Sequence, residues 1–344
     1  MNIGIITFHW ATNYGAILQS LALQETLVNL GHNVEIINYK PKQYDDNILT
    51  FIRFRKFLHL DSYRINRRKE KKLIVFRQKY LIQTKRFTTL KKLKQHCNHF
   101  DALITGSDQV LNPSFLMSGE IGGSTAYFLD FGNENCKRIA YAASFGTTDY
   151  ESQLCDKVRP LIKRFNAVSS RETTGLKIFK LMGADNPIIV PDPTILHNSE
   201  FYDKLLGRRK SLNYRIRAYI LHNRENAISK TLREIDAEII TDQGLESWIN
   251  AIKSSTHFIT NSFHGVVFCL LYHIPFSVVL KTKENVGMND RFYTLLGNLG
   301  LTDRIFSEAE FNSNCMNFNH NWNKISQKLQ AFRNIGIDFL SKTI

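Results

Sequence analysis

The chain has 344 residues, 43% hydrophobic, 12% aromatic and 22% charged. That length fits two ordinary domains, and that composition excludes extended disorder. The longest apolar stretch, Val266 to Leu280, is interrupted by His273, Pro275 and Ser277 and is too short to span a bilayer. The formal net charge of +14 is local: residues 51–100 hold 16 Lys and Arg against two acids, Asp61 and Glu70, while the rest is balanced at 29 to 29.

Met1-Asn2 leads directly into Ile3-Gly4-Ile5-Ile6 without a basic region or cleavage site, so no secretory signal and a cytoplasmic location are expected. Ile3 to Phe8 is the continuous apolar run of a buried parallel strand. Ile17, Leu18, Leu21, Ala22 and Val28 follow at helical spacing, Gly31 stops the helix, and Val34 to Ile37 is a second strand. This βαβ unit predicts an open parallel sheet that binds ligands at the carboxyl ends of its strands.

The basic segment, about residues 45–97, reads as a helical insertion. Arg53, Arg55, Lys56, Arg64, Arg67, Arg68, Lys69, Lys71, Lys72, Arg77 and Lys79 alternate with Phe51, Ile52, Phe54, Phe57, Leu58, Leu60, Ile74, Val75, Phe76 and Tyr80. Such a mixture is expected of helices lying at an anionic membrane surface, here through residues 51–95. A solvated insertion with basic outer faces is the plainer alternative. Nucleic acid is an unlikely partner, since no recognised binding motif accompanies the charge.

Strands are then predicted at Asp101 to Thr105, Arg138 to Ala143, Ala167 to Ser170 and Ile188 to Val190, with helices at Glu151 to Phe165 and Glu172 to Met182. Pro191-Asp192-Pro193-Thr194 is a break that no helix crosses. Polar, unpatterned residues 195–212 set a boundary between domains 1–200 and 201–344. The second domain repeats the alternation: strands at Ala218 to Leu221, Glu238 to Thr241, His257 to Thr260 and Phe276 to Leu280, and helices at Glu246 to Ser254 and from Phe263. A last amphipathic helix, Trp322 to Leu340, is a candidate for packing back on the first domain. The fold class is α/β, with two Rossmann-like domains facing a cleft.

Cys97, Cys136, Cys155, Cys269 and Cys315 are odd in number and contain no C-x-x-C, so buried free thiols are expected rather than disulfides or a zinc site. The dinucleotide, P-loop, zincin and hydrolase-elbow motifs are absent, as is any D-x-D. Enzymes built on those motifs, and glycosyltransferases that clamp a nucleotide diphosphate with a divalent metal, are therefore disfavoured. What remains is polar clusters directly after predicted strands. Asn13-Tyr14-Gly15 follows the first strand, Gly106-Ser107-Asp108-Gln109 the strand ending at Thr105, and Arg171-Glu172 the strand ending at Ser170. In the second domain Asn261-Ser262-Phe263-His264-Gly265 follows Thr260. Each alone has a plainer reading, a capped turn at Asn13, a helix cap at Ser107 and Asp108, a surface salt bridge at Arg171 and Glu172, and a satisfied structural histidine at His264; four at four strand ends outline a ligand cleft.

Asn13-Tyr14-Gly15-Ala16-Ile17-Leu18-Gln19, Gly106-Ser107-Asp108-Gln109-Val110, Ala140-Tyr141-Ala142-Ala143-Ser144-Phe145-Gly146, Ser170-Arg171-Glu172, Pro191-Asp192-Pro193-Thr194 and Asn261-Ser262-Phe263-His264-Gly265, in that order, resemble the polysaccharide pyruvyl transferase family. The resemblance implies a GT-B-like fold and a reaction that needs neither a metal nor a redox cofactor. It also implies transfer of the enolpyruvyl group of phosphoenolpyruvate to a sugar hydroxyl pair as a pyruvate ketal, during surface polysaccharide biosynthesis, on a lipid-linked or soluble glycan at the inner membrane face. A nucleotide-sugar glycosyltransferase on the same fold is the rival. By motif, Arg171 and His264 map to the basic and proton-transfer residues, with Asp108 as a third catalytic candidate. Asn13, Tyr14, Gly15, Ser107 and Ser262 are candidate substrate contacts. Many members carry Arg where this chain has Ser262, and Arg291, in Gly287-Met288-Asn289-Asp290-Arg291, is the candidate replacement.

Overall fold

A computed structural model describes residues 1–45, 60–114, 124–207, 214–221, 225–241 and 244–344. The chain forms two units: Met1–Pro193 with Gly336–Ile344, and Thr194–Ile335. The division falls at 193/194, where the sequence suggests 200. Asn198 there caps a helix that the polar sequence hides, its side chain accepting from Phe201 N.

In the first unit β1 (Asn2–Ile6), α1 (Tyr14–Asn29), β2 (Asn33–Ile36), α2 (Leu60–Tyr80), α3 (Leu90–His96), β3 (Ala102–Thr105), β4 (Lys137–Ala143), α4 (Ser152–Ile162), β5 (Ala167–Ser170), α5 (Thr173–Leu181) and β6 (Ile188–Ile189) follow in order. The six strands make one parallel sheet in the order β2-β1-β3-β4-β5-β6. Its central strands are buried on both faces, which is why their sequences run apolar without alternation. The chain turns from β2 on one side of β1 to β3 on the other, so the topological switch lies between the carboxyl ends of β1 and β3.

Among the basic residues, α2 buries Leu73, Phe76 and Arg77 and exposes Arg68, Lys71, Lys72 and Val75, an amphipathic helix laid on α1. Gln24 of α1 joins the two, donating to Tyr80 O and accepting from Ile82 N. Phe51, Ile52, Arg53, Phe54, Arg55, Lys56, Phe57 and Leu58 lie outside the described residues, as do the side chains of Leu60 and Arg64.

The second unit contains α6 (Ser199–Leu206), β7 (Arg215–Tyr219), α7 (Ser229–Glu234), β8 (Glu238–Ile239), α8 (Leu245–Lys253), β9 (Ser255–Thr260), α9 (Phe263–Tyr272), β10 (Phe276–Leu280), α10 (Asp290–Leu299), β11 (Ile305–Ser307) and the start of α11 (Trp322–Thr343). Its five strands are also parallel, in the order β11-β10-β9-β7-β8, and the switch falls between β7 and β9. β11, a three-residue edge strand, has too little pattern to be read from sequence. The last turns of α11 belong to the first unit, where Lys137 donates to Ile344 O at 2.8 Å and Phe339 packs on Tyr141.

Cys97, Cys136, Cys155 and Cys269 are buried free thiols, and Cys315 is a half-buried one. Among the described residues no helix is long and apolar enough to cross a membrane.

Candidate active site

Both switch points carry the polar clusters singled out by sequence. In the first unit Asn13 is the N-cap of α1, its Oδ1 accepting from Gly15 N at 2.8 Å and Ala16 N at 3.4 Å. Tyr14 is buried, with the Lys69 ammonium 4.1 Å above its ring. The Asn13 and Gly15 groups are thus engaged in the cap, the plainer of their two readings.

After β3 the chain makes a tight, strained passage. Asp108 has φ +85°, a conformation that costs a non-glycine residue on the order of 1–3 kcal/mol. The turn is held in place from the neighbouring strand: Ser144 N donates to Asp108 O at 3.1 Å, and Leu111 N to Ser144 O at 3.2 Å. β4 itself bulges between Ala140 and Ala143, with Ala142 at φ +50°. These two irregularities bring the ends of β3, β4 and β5 around one side chain, Arg171.

The Arg171 guanidinium is 1% exposed. Its Nη1 donates to Asp192 Oδ2 at 3.0 Å and to Ser107 Oγ at 3.2 Å, and Ser107 Oγ in turn donates to Asp192 Oδ2 at 2.7 Å. Glu172 Oε2 lies 3.5 Å from Nε and Asp108 Oδ1 3.7 Å from Nη2, ion-pair rather than hydrogen-bond distances. Glu172 is held from its other oxygen by Ser144 Oγ and Phe145 N. Burial alone would lower the Arg171 pKa, but Asp192, Glu172 and Asp108 outweigh it and hold the group above the ordinary arginine value. Three carboxylates thus surround one cation, and of them Asp108 is the more accessible, at 19%. Asp192, Glu172 and Ser144 all lie within motifs visible in the sequence. Their roles were not legible, because hydrogen bonds between residues up to 85 positions apart leave no local pattern.

In the second unit, Asn261 spans the switch between β7 and β9: its Oδ1 accepts from Leu221 N at 2.6 Å and its Nδ2 donates to Leu221 O at 3.2 Å. Ser262 is the N-cap of α9, accepting from Gly265 N at 3.2 Å. A Cβ on Gly265 would meet Thr260 Oγ1 at 3.1 Å and Ser262 Cβ at 3.3 Å, so the helix start approaches the strand end closely. His264 sits in this first turn, 7% exposed, its ring edge-to-face with Phe263 at 5.4 Å. Arg291, from the start of α10, covers the same aromatic: its guanidinium carbon is 5.8 Å from the Phe263 ring and 5.3 Å from that of Phe292. The structure therefore gathers His264, Arg291 and Ser262 around Phe263. Among the described residues no group of three or more His, Cys, Asp or Glu could hold a metal ion.

The family model for polysaccharide pyruvyl transferases matches residues 13–280. The chain belongs to the polysaccharide pyruvyl transferase family. It is therefore a transferase, and the matched span begins at the α1 cap and includes every site residue above except Arg291 and Phe292. No curated protein matches the chain. Among solved structures, the chain is similar to the UDP-GlcNAc 2-epimerase of Neisseria meningitidis bound to UDP-GlcNAc, with 8% identity over 100% of this chain and 99% of that one and a TM-score of 0.47. It is also similar to a putative UDP-N-acetylglucosamine 2-epimerase of Listeria monocytogenes, with 9% identity, 99% and 90% coverage and a TM-score of 0.46. The heptosyltransferase of E. coli with ADP gives 10% identity, 96% and 100% coverage and a TM-score of 0.39. Similarity at this level is too slight to specify fold or activity.

Proposed function

We propose that the enzyme takes its pyruvyl group from phosphoenolpyruvate and closes it as a cyclic ketal on two hydroxyls of a glycan, with no metal or cofactor. The observation that carries this reading is the membership of the family together with the position of its motifs, at the switch points of both sheets. In the reaction, carbon 3 of the donor gains a proton, a sugar hydroxyl adds to carbon 2, phosphate leaves, and a second hydroxyl adds to close the ketal. One group must supply a proton, another must accept protons from the hydroxyls, and a cation must meet the departing phosphate.

His264 is assigned as the proton donor and Arg291 as the cation for the donor anion. Both border Phe263, and the positive end of the α9 dipole adds to the same field. Asp108 is assigned as the base for the hydroxyls, because it is the more accessible carboxylate of its cluster and is held on a strained turn. Arg171 and Ser107 are assigned as positioning residues. Three carboxylates surround Arg171, which favours holding Asp108 in place over direct capture of a phosphate. Asn13, Tyr14, Gly15 and Ser262 shape the two helix starts.

The membrane assignment rests on α2. Arg68, Lys71, Lys72, Val75 and Lys79 recur at helical spacing on its exposed side, and Val75 is 64% exposed. Each Lys or Arg close to an anionic leaflet adds about 1 kcal/mol of attraction, weakened by salt. This face docks the enzyme on anionic lipid at the inner membrane surface, where a lipid-linked glycan is presented.

The deciding experiment supplies phosphoenolpyruvate or nucleotide sugars with a panel of free and lipid-linked oligosaccharides. Phosphate release accompanied by a glycan carrying one pyruvate ketal is expected. Release of a nucleoside diphosphate with glycosyl transfer and no ketal would replace this reading with that of a glycosyltransferase.

A further inference from the structure

Beyond the residues assigned so far, the first unit contains a cavity of about 320 Å³ beside the carboxyl ends of β1 and β2, roofed by α2. We infer that it is the seat of one neutral pyranose unit of the acceptor glycan. This inference rests on the pyruvyl transferase reading and gives it a location for the sugar.

Size, charge and surface chemistry converge on that ligand. The volume lies at the low end of the range for small-molecule sites, roughly 300–1,000 Å³, and suits a single ring better than a nucleotide. Of the two cations that line it, Arg77 is ion-paired with Glu70 and donates to His9 O and Ala11 O at 3.4 Å. Lys40 lies 3.9 Å from Asp45, a carboxylate that it shares with Arg86. A compact dianion would meet only the partly neutralised Lys40 and would face the Glu70 carboxylate beside it, whereas a neutral polyol would lose nothing. Asn38, Gln78 and Gln83 add side-chain amides to the wall, each with a donor and an acceptor, and this is the pairing a hydroxyl needs. Trp10 supplies an aromatic surface, fixed by Tyr44 at 4.4 Å and Phe8 at 5.7 Å between ring centres, with Lys40 Nζ 5.7 Å from its ring centre. An indole face of this kind packs against the C–H face of a pyranose.

The cavity also adjoins the reacting group. Tyr127 packs edge-on against Phe8 at 4.9 Å, lies beside Trp10, and is within electrostatic reach of Asp108. A sugar seated on Trp10 is therefore at the same end of the sheet as the proposed base. The pairing of Glu70 and Arg77 then acquires a function: with Thr12 Oγ1 donating to Glu70 Oε2 at 2.7 Å, it pins α2 over the β1 loop and keeps the cavity formed.

The test is saturation-transfer NMR on the full chain with the methyl pyranosides of glucose, galactose, mannose and N-acetylglucosamine, and with ADP and UDP as controls. At least one glycoside should bind, and Gln78→Phe, which fills the mouth of the cavity from an exposed position on α2, should weaken it by about tenfold or more. Gln78→Ala, which removes one wall amide but leaves the cavity open, should fold as wild type and weaken binding by less than Gln78→Phe does, which separates occlusion from misfolding. On an oligosaccharide acceptor, Gln78→Phe should raise the acceptor KM while leaving that of phosphoenolpyruvate unchanged. Binding of no glycoside, binding of a nucleotide in their place, or an unchanged acceptor KM in Gln78→Phe would overturn the sugar seat while leaving the pyruvyl transfer reading intact. Glycoside binding blocked by Gln78→Phe in a protein that forms no ketal from phosphoenolpyruvate would support the seat and count against the donor assignment alone.

Discussion

Arg171 is a single cation enclosed by Asp108, Glu172 and Asp192, and its removal would leave those carboxylates buried without their counter-charge. Breaking a buried ion pair from one side typically costs about 3–5 kcal/mol. Arg171→Ala should therefore lower the urea midpoint of the first unit as well as turnover, whereas a residue that only binds the donor would raise the phosphoenolpyruvate KM at unchanged stability. Urea unfolding alongside steady-state kinetics distinguishes the two, and an Arg171→Ala enzyme of wild-type stability would return the residue to the donor site. At the other cluster the expectation is different. His264→Ala and Arg291→Ala should lower the urea midpoint by less than Arg171→Ala does, through lost packing on Phe263. His264→Ala should reduce kcat by about 10²–10⁴ if the imidazole delivers the proton to carbon 3. Arg291→Ala should act mainly on phosphoenolpyruvate, with Ser262→Arg restoring part of the loss; full activity in Arg291→Ala would show that other groups hold the phosphate.

At the scale of elements, the turn that delivers Arg171 depends on how closely α5 approaches β5. A Cβ on Gly175 would lie 2.1 Å from Ser170 Oγ and 2.8 Å from Ser170 Cβ, well inside contact distance. Gly175→Ala should force the first turn of α5 away from the strand and cost about 1–3 kcal/mol. Ser170→Ala in the same chain removes the nearer atom and should recover part of that loss, a coupling that a double-mutant cycle measures directly. Additive effects of the two changes would show that this contact does not set the turn. Nothing in the sequence marks Gly175 as special, since a glycine inside a helical pattern looks the same whether it is close-packed or exposed. The strands were legible for the opposite reason. Ile3 to Ile6, Ala102 to Thr105 and Phe276 to Leu280 are buried on both faces of parallel sheets, and continuous apolar runs report that burial directly. Asn198 and the helix after it were obscured because their polar residues satisfy a cap, which sequence alone does not separate from a linker.

Across the whole molecule, each unit buries, among the described residues, one histidine that is not assigned a part in the chemistry, and each should make the protein sensitive to acid. His9 is enclosed at the end of β1, its ring nitrogens near Thr7 O and Asn38 Oδ1, and burial, reinforced by Arg77 and Lys40, lowers its pKa to about 4. His257 is enclosed at β9, where its Nε2 meets Ser277 Oγ at 2.9 Å; Ser277 donates to Cys315 O and so accepts from the imidazole. Burial, with Arg304 nearby, lowers this pKa to about 4 as well. An unfolded chain takes up protons at both residues near the ordinary value of 6.5, while the folded chain does so only near 4. Between those values the unfolded state binds more protons, so stability should rise with pH through this window and be lost as pH falls from 6.5 toward 4. The loss should be at most roughly 3 kcal/mol for each histidine, reached near pH 4 and not growing further from these groups below it. Urea unfolding at intervals from pH 7.5 to 4, on wild type and on His9→Gln and His257→Gln, measures the effect. Each substitution should flatten the pH dependence by its own share, even where it lowers stability at pH 7.5. A slope unchanged in both variants would show that the acid sensitivity does not come from the buried imidazoles.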